Sequence, residues 1–171
     1  MRVGVLTISD RSARGEREDR SGPALSTDLQ SKGWEVTQTA VVADEAALVS
    51  QRLQQWADSG EMDLILTTGS TGFSPRDVAP EATLAVVNRL APGLAEAMRA
   101  RGLQQTPHAM LSRAVAGIRG EVLIVNLPGS PKAAQESLRV ILPALPHAIE
   151  LLRGVPGSDQ RHRHPPAPST I

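Results

Sequence analysis

Short aliphatic runs alternate with amphipathic stretches over most of this chain, and their order predicts strands and helices in turn. Arg2–Ile8 is rich in β-branched and aliphatic residues and reads as the first strand, ending in Ser9-Asp10. A charged, glycine-containing loop over 11–21 follows, longer than the usual connection into a helix. Gly22-Pro23 puts proline in the first turn of a helix over 22–32, with Gly33 as its stop. A strand over 34–42 comes next, then a helix through Trp56 whose Leu48, Val49, Leu53, Trp56 and Ala57 share one broad face. Residues 62–68 read as a further apolar strand. Beyond it the pattern predicts helices over 80–90 and 93–101, then strands over 113–118 and 121–127 about a tight turn at Arg119-Gly120. Two closing helices, split near Pro143, end at about Gly154. This order predicts an α/β fold, a three-layer sandwich with a mostly parallel central sheet and helices on both faces.

At 171 residues the chain is long enough to bury a core without covalent staples. Residues 1–154 are expected to form one domain, and 155–171, rich in proline and histidine, a flexible tail. The formal net charge is zero, so no global field attracts nucleic acid or an anionic membrane. Trp34, Trp56 and Phe73 are the only aromatics, too few for a base-stacking platform. The absence of cysteine excludes disulfides, zinc–thiolate sites and thiol nucleophiles. No stretch approaches the ~20 apolar residues of a membrane span. The N-terminus runs directly into a strand pattern rather than a signal peptide, so a cytoplasmic protein is the expectation.

The candidate chemistry lies where apolar strands break into glycine loops. Leu64-Ile-Leu-Thr-Thr ends in Gly69-Ser70-Thr71-Gly72, followed by Phe73, Arg76 and Asp77. The 121–127 strand ends likewise in Pro128-Gly129-Ser130. In a doubly wound sheet such loops share a crevice, where outward N–H groups hold anionic oxygen. The first loop is not a P-loop, since no lysine follows its last glycine. Asp44 reads as a helix cap and Asp77 as a turn or cap residue; as a pair they equally offer two carboxylates to a magnesium ion shared with phosphates. Arg76 serves as a phosphate clamp or as a solvated side chain, and Phe73 stacks on a heterocycle or plugs its loop onto the core. Ser112-Arg113 marks a ligand contact or a strand entry. Ser130 reads as an N-cap that also attracts anions, with Lys132 adding charge. His108 and His147 are isolated, and no nucleophile–base pair stands out.

Taken in order, Thr7-Ile-Ser-Asp10, Asp19-Arg-Ser-Gly22, Val42-Ala-Asp-Glu45, Thr67-Thr-Gly-Ser-Thr-Gly-Phe-Ser-Pro-Arg-Asp77, Pro80-Glu-Ala-Thr83, Met110-Leu-Ser-Arg113, Gly117-Ile-Arg-Gly120 and Asn126-Leu-Pro-Gly-Ser130 resemble the molybdopterin adenylyltransferases, which include the G domain of gephyrin. The resemblance implies Mg²⁺-dependent transfer of AMP from ATP to the terminal phosphate of molybdopterin, with release of pyrophosphate. It implies a homotrimer and hand-over of the product to a molybdate-inserting enzyme. Asp44 and Asp77 match the family's catalytic, metal-binding aspartates. Ser9, Asp10, Gly69, Ser70, Thr71, Gly72, Arg76, Ser112, Gly129 and Ser130 match its substrate- and nucleotide-binding positions, Ser112 a pterin contact among them. The alternative within the same resemblance is a non-catalytic molybdopterin carrier or oligomeric scaffold. Two departures stand out. The family usually has Gly-Gly-Thr-Gly, so Ser70 costs about 1–2 kcal/mol if its φ is positive. Gly102 lies where some relatives carry a serine linked to handling of the adenylylated product.

Overall fold

The computed structural model describes residues 1–158 of the chain, so most of the expected tail lies outside the described residues. Its elements are β1 (Arg2–Ile8), α1 (Asp10–Ala13), α2 (Ser21–Gln30), β2 (Glu35–Val42), α3 (Ala46–Ala57), β3 (Leu64–Thr68) and α4 (Ala79–Leu84). Then follow β4 (Arg89–Leu90), α5 (Pro92–Leu103), a 3-10 turn (Pro107–Leu111), β5 (Ala116–Arg119), β6 (Val122–Leu127), α6 (Pro131–Ile141) and α7 (Leu145–Leu152).

The strands form one sheet in the order β2-β1-β3-β6-β5-β4. The first four are mutually parallel, and β5 and β4 extend the sheet antiparallel. Every residue of β3 and β6 is buried, as strands covered on both faces must be. Side-chain alternation divides the core in two. Leu64, Leu66, Leu123 and Val125 point toward α2, α5, α6 and α7, whereas Ile65, Val122 and Ile124 meet α3 and α4. The expected three layers with helices on both faces are present.

The expected 80–90 helix is shorter than the pattern implied. It ends at Leu84, and Arg89–Leu90 instead pair with β5. The Asn88 N–H reaches the Ile118 carbonyl at 2.7 Å and Ala91 N–H that of Ala116 at 2.9 Å, while the Asn88 side chain accepts from Gly120 N–H. Tertiary pairing overrides the local helical pattern here. The strand expected at 113 begins only at Ala116, leaving Arg113 in a loop. Asp10, read as the end of the first strand, and residues 11–13, read as loop, form the short α1, capped by Ser9 Oγ, which accepts from Ser12 N–H.

At the edge where β1 and β3 begin, Asp63 is only 3 % exposed. Its carboxylate accepts from the Arg2 N–H at 2.7 Å and the Arg2 guanidinium at 3.0 Å, and it pairs also with Arg153 after α7. Burial pushes this carboxyl upward, but the Arg2 bonds and the Arg153 charge outweigh it and hold the group below its ordinary value. Such a depressed group contributes stability that is fully present above the ordinary aspartate range and is lost as pH falls through the depressed value. Asp63→Asn is therefore expected to cost about 1–2 kcal/mol near neutrality. Denaturant titrations should show that deficit shrinking as wild type is acidified below about pH 4.

Candidate active site

Because β1, β2, β3 and β6 run parallel, their carboxyl ends lie along one edge of the sheet. The loops leaving those ends enclose a cavity of about 930 Å³. Ser9, Asp10, Asp44, Gly69, Ser70, Arg76, Asp77, Gly129 and Ser130 all line it. Residues as far apart in the chain as Thr7 and Pro131 are thus brought together at the carboxyl ends of the strands.

The carboxylates are individually anchored. Asp44 does not cap α3: that helix starts after Glu45 with no side-chain cap, and Asp44 Oδ2 instead accepts the Asp10 N–H at 2.6 Å. Asp10 Oδ1 returns the contact by accepting the Asp44 N–H at 3.0 Å. Arg76, an exposed side chain, forks onto Asp10, with Nε and Nη2 donating at 3.0 and 2.9 Å. Partial burial pushes the Asp10 carboxyl up, but Arg76 and the Asp44 N–H prevail and hold it below its ordinary value. Asp77 Oδ2 accepts the Ser74 N–H at 2.9 Å, and the residue precedes rather than caps α4. In the described hydrogen bonds Asp44 and Asp77 each use Oδ2 alone.

The glycine loop is shaped by backbone demands. Gly69 has φ +98°, and a Cβ there would lie 2.3 Å from the Ile8 carbonyl oxygen. Gly129 approaches Gly69 so closely that its Cβ would stand 3.1 Å from the Gly69 Cα. Ser70 also adopts positive φ, +58°, the only non-glycine among the described residues to do so. Its hydroxyl accepts the Val78 N–H at 2.8 Å and donates to the Arg76 carbonyl at 3.2 Å, and its own carbonyl accepts the Ala79 N–H at 3.0 Å. These bonds, which span Asp77, offset the strain of a left-handed serine. Ser130 caps α6 by accepting the Ala133 N–H at 3.2 Å.

Thr71, Gly72 and Ser112 face a second, more apolar cavity of about 330 Å³ beside Met98, Pro128 and Val140. Thr71-Gly72 follows Gly69-Ser70 directly, so the loop is the wall between the two cavities. Gly102 lines this second space. Phe73 neither plugs its loop nor packs on the core, being 67 % exposed. Lys132 projects into solvent, 3.9 Å from Glu136.

Sequence reasoning left Arg11, Arg17, Asp19 and Arg20 out of the site, yet all four line the first cavity. Asp19 receives Thr7 Oγ1–H at 2.7 Å and the Ser21 and Gly22 N–H groups at 3.0 and 3.1 Å, while Ser21 Oγ donates to the Gly129 carbonyl at 2.7 Å. This links the ends of β1 and β6 to the start of α2. The long charged loop was the available signal, and Asp19-Arg-Ser-Gly22 within it was legible as a motif though not as part of the cavity. Four arginines and five carboxylates line the cavity, a near balance with one excess negative charge.

The family model described as a probable molybdopterin binding domain matches residues 4–147. Gephyrin of Dictyostelium discoideum is 45 % identical over 95 % of this chain, which spans only 24 % of gephyrin's length. The molybdopterin adenylyltransferase of Helicobacter pylori (strain J99 / ATCC 700824) is 42 % identical, with 89 % of this chain and 88 % of that protein covered. That of Escherichia coli (strain K12) is 40 % identical over 90 % and 86 % of the two chains. Among solved structures, the molybdopterin biosynthesis enzyme MoaB from Thermus thermophilus superposes with a TM-score of 0.85 at 52 % identity, covering 91 % of this chain and 98 % of that one.

Proposed function

The chain belongs to the molybdopterin-binding domain family, and on that premise we propose that it is a molybdopterin adenylyltransferase, joining AMP from ATP to the terminal phosphate of molybdopterin. One observation carries the reading: Asp44 and Asp77 reach the same cavity as the glycine loop and four arginines.

In the reaction an oxygen of the pterin phosphate attacks the α-phosphorus of ATP. A new P–O bond forms, the bond from that phosphorus to the α–β bridging oxygen breaks, and pyrophosphate leaves with the electron pair. The attacking phosphate is already largely ionised near neutrality, with its second pKa near ~6, so no strong base is needed. What the site must overcome is repulsion between two anions, by orientation and fixed positive charge.

The donor set fits Mg²⁺. Two hard carboxylates from different loops, each with Oδ1 outside the described hydrogen bonds, suit an ion that takes one or two protein carboxylates plus phosphates and water. Among the described residues no group of three or more His, Cys, Asp or Glu is placed to hold a metal ion. When bound, the ion supplies positive charge beside the phosphates and reverses the lining's negative excess. Asp44 and Asp77 would hold it, Arg11, Arg17 and Arg20 add cationic charge, and Gly69-Ser70 shapes the floor. The second cavity offers apolar walls to the pterin, with Ser112 at its side and the thin Gly69–Gly72 wall toward the nucleotide. A trimer acting in the cytoplasm and passing its product to a molybdate-inserting enzyme belongs to the same reading. No helix of the described residues is long and apolar enough to cross a membrane.

The test is anaerobic incubation with molybdopterin, ATP and Mg²⁺, following pyrophosphate and the adenylylated pterin. Product that requires both the pterin and the metal is the expected result. Tight pterin binding without product would make the protein a carrier, and no binding would remove the substrate assignment.

A further inference from the structure

We infer that Arg113 is a positioning residue that holds the Asp77-bearing wall between the two cavities in its working shape. The inference rests on the assignment of Asp77 to the transfer reaction. From Gly69 to Val78 the chain has no helix or strand of its own. Arg113 supplies much of what regular structure would have given. Its Nε–H donates to the Gly72 carbonyl and Nη2 to the Asp77 carbonyl, both at 2.7 Å, while its own N–H donates to the Thr71 carbonyl at 2.8 Å. Nη1 pairs with the Glu81 carboxylate in α4.

One planar group therefore grips both ends of the 72–77 turn and ties them to the helix that follows. Arg113 is itself held in place. Arg99 of α5 donates to the Ala114 carbonyl at 2.9 Å and the Ser112 carbonyl at 3.4 Å, fixing the backbone on either side of it. Arg113 touches the loop through backbone carbonyls and lines neither cavity, so it acts through Asp77 rather than on substrate. The hydrogen bond and charge of Arg113 hold the Glu81 carboxyl below its ordinary value. Lysine offers a single nitrogen on a flexible stem and cannot reproduce a fork across two carbonyls and a carboxylate.

The experiment compares wild type, Arg113→Ala, Arg113→Lys and Glu81→Gln by amide hydrogen exchange of the substrate-free protein and by steady-state transfer kinetics. In Arg113→Ala, exchange across 69–81 should rise on the order of tenfold while β1 and β6 keep their protection, as expected for a local opening. Its kcat should fall about a hundredfold with KM for ATP changed by less than about threefold, the effect of a slightly misplaced catalytic group. Arg113→Lys should recover little of either, and Glu81→Gln should move exchange in the same direction by less. Should the alanine variant not fold, the lysine variant carries both readouts. Unchanged loop exchange in a folded variant overturns the inference, as does a loss confined to KM. If wild type itself fails to transfer AMP, the functional assignment falls, and the exchange data alone decide whether Arg113 holds the loop.

Discussion

Asp77→Asn should leave a folded protein whose adenylyl transfer is slower by about 10²–10³-fold. The substitution is nearly isosteric, and an amide oxygen can still accept the Ser74 N–H that Asp77 Oδ2 accepts at 2.9 Å. The loop closure through Ser70 and Arg113 uses neighbouring backbone groups and the Asp77 carbonyl, none of which changes. What is lost is one negative charge and a strong oxygen donor facing the cavity, so the Mg²⁺ concentration giving half-maximal rate should rise as well. Thermal melting followed by circular dichroism, set beside a Mg²⁺ titration of the rate, separates the two possibilities. A melt lowered in step with the rate would make Asp77 a fastener of its loop and remove it from the reaction.

Ser70 gives a second large effect, with a size that depends on the replacement. Ser70→Ala keeps the Cβ at φ +58° and discards the bonds to Val78 N–H and the Arg76 carbonyl. Leaving those part-buried groups unpaired should cost about 2–3 kcal/mol. Ser70→Gly loses the same bonds but relieves about 1–2 kcal/mol of left-handed strain. It should therefore be only about 1 kcal/mol less stable than wild type, within the usual range for a single net hydrogen-bond loss. Urea titrations of the three proteins test the ordering. A glycine variant less stable than the alanine variant would show that the strain is negligible.

The parts of this architecture that follow local rules were legible from the residues. Leu64–Thr68 and Val122–Leu127 are continuous apolar runs, and only a doubly covered strand accommodates them. Ser130 before Pro131 announced a cap and proved to be one. The two-residue β4 was hidden because its formation depends on β5, while 80–90 taken alone looks helical. The cap alternative for Asp44 fails because its partner, Asp10, lies 34 residues earlier in the chain, beyond the reach of a local pattern. The Arg76 fork onto Asp10 spans 66 residues, so sequence left open whether Arg76 clamped phosphate or stood in solvent. Positive φ at Ser70 was signalled only by the glycine the family usually carries there, because serine itself has no conformational signature of the kind glycine does. Arg113 was noted only as a neighbour of Ser112; its three carbonyl contacts exist only after Thr71, Gly72 and Asp77 have been folded against it.

The meeting of Arg2 and Arg153 on Asp63 joins the beginning of β1 to the chain just after α7. It does so at the amino-terminal edge of the parallel strands, while the cavity opens at their carboxyl-terminal edge. Attachment of other polypeptide near either junction therefore leaves substrates a clear approach, and the fold can serve as a module within a larger chain. The same proximity makes a circular permutant feasible, with the old junction bridged by a short linker and new ends opened in a surface loop remote from the cavity.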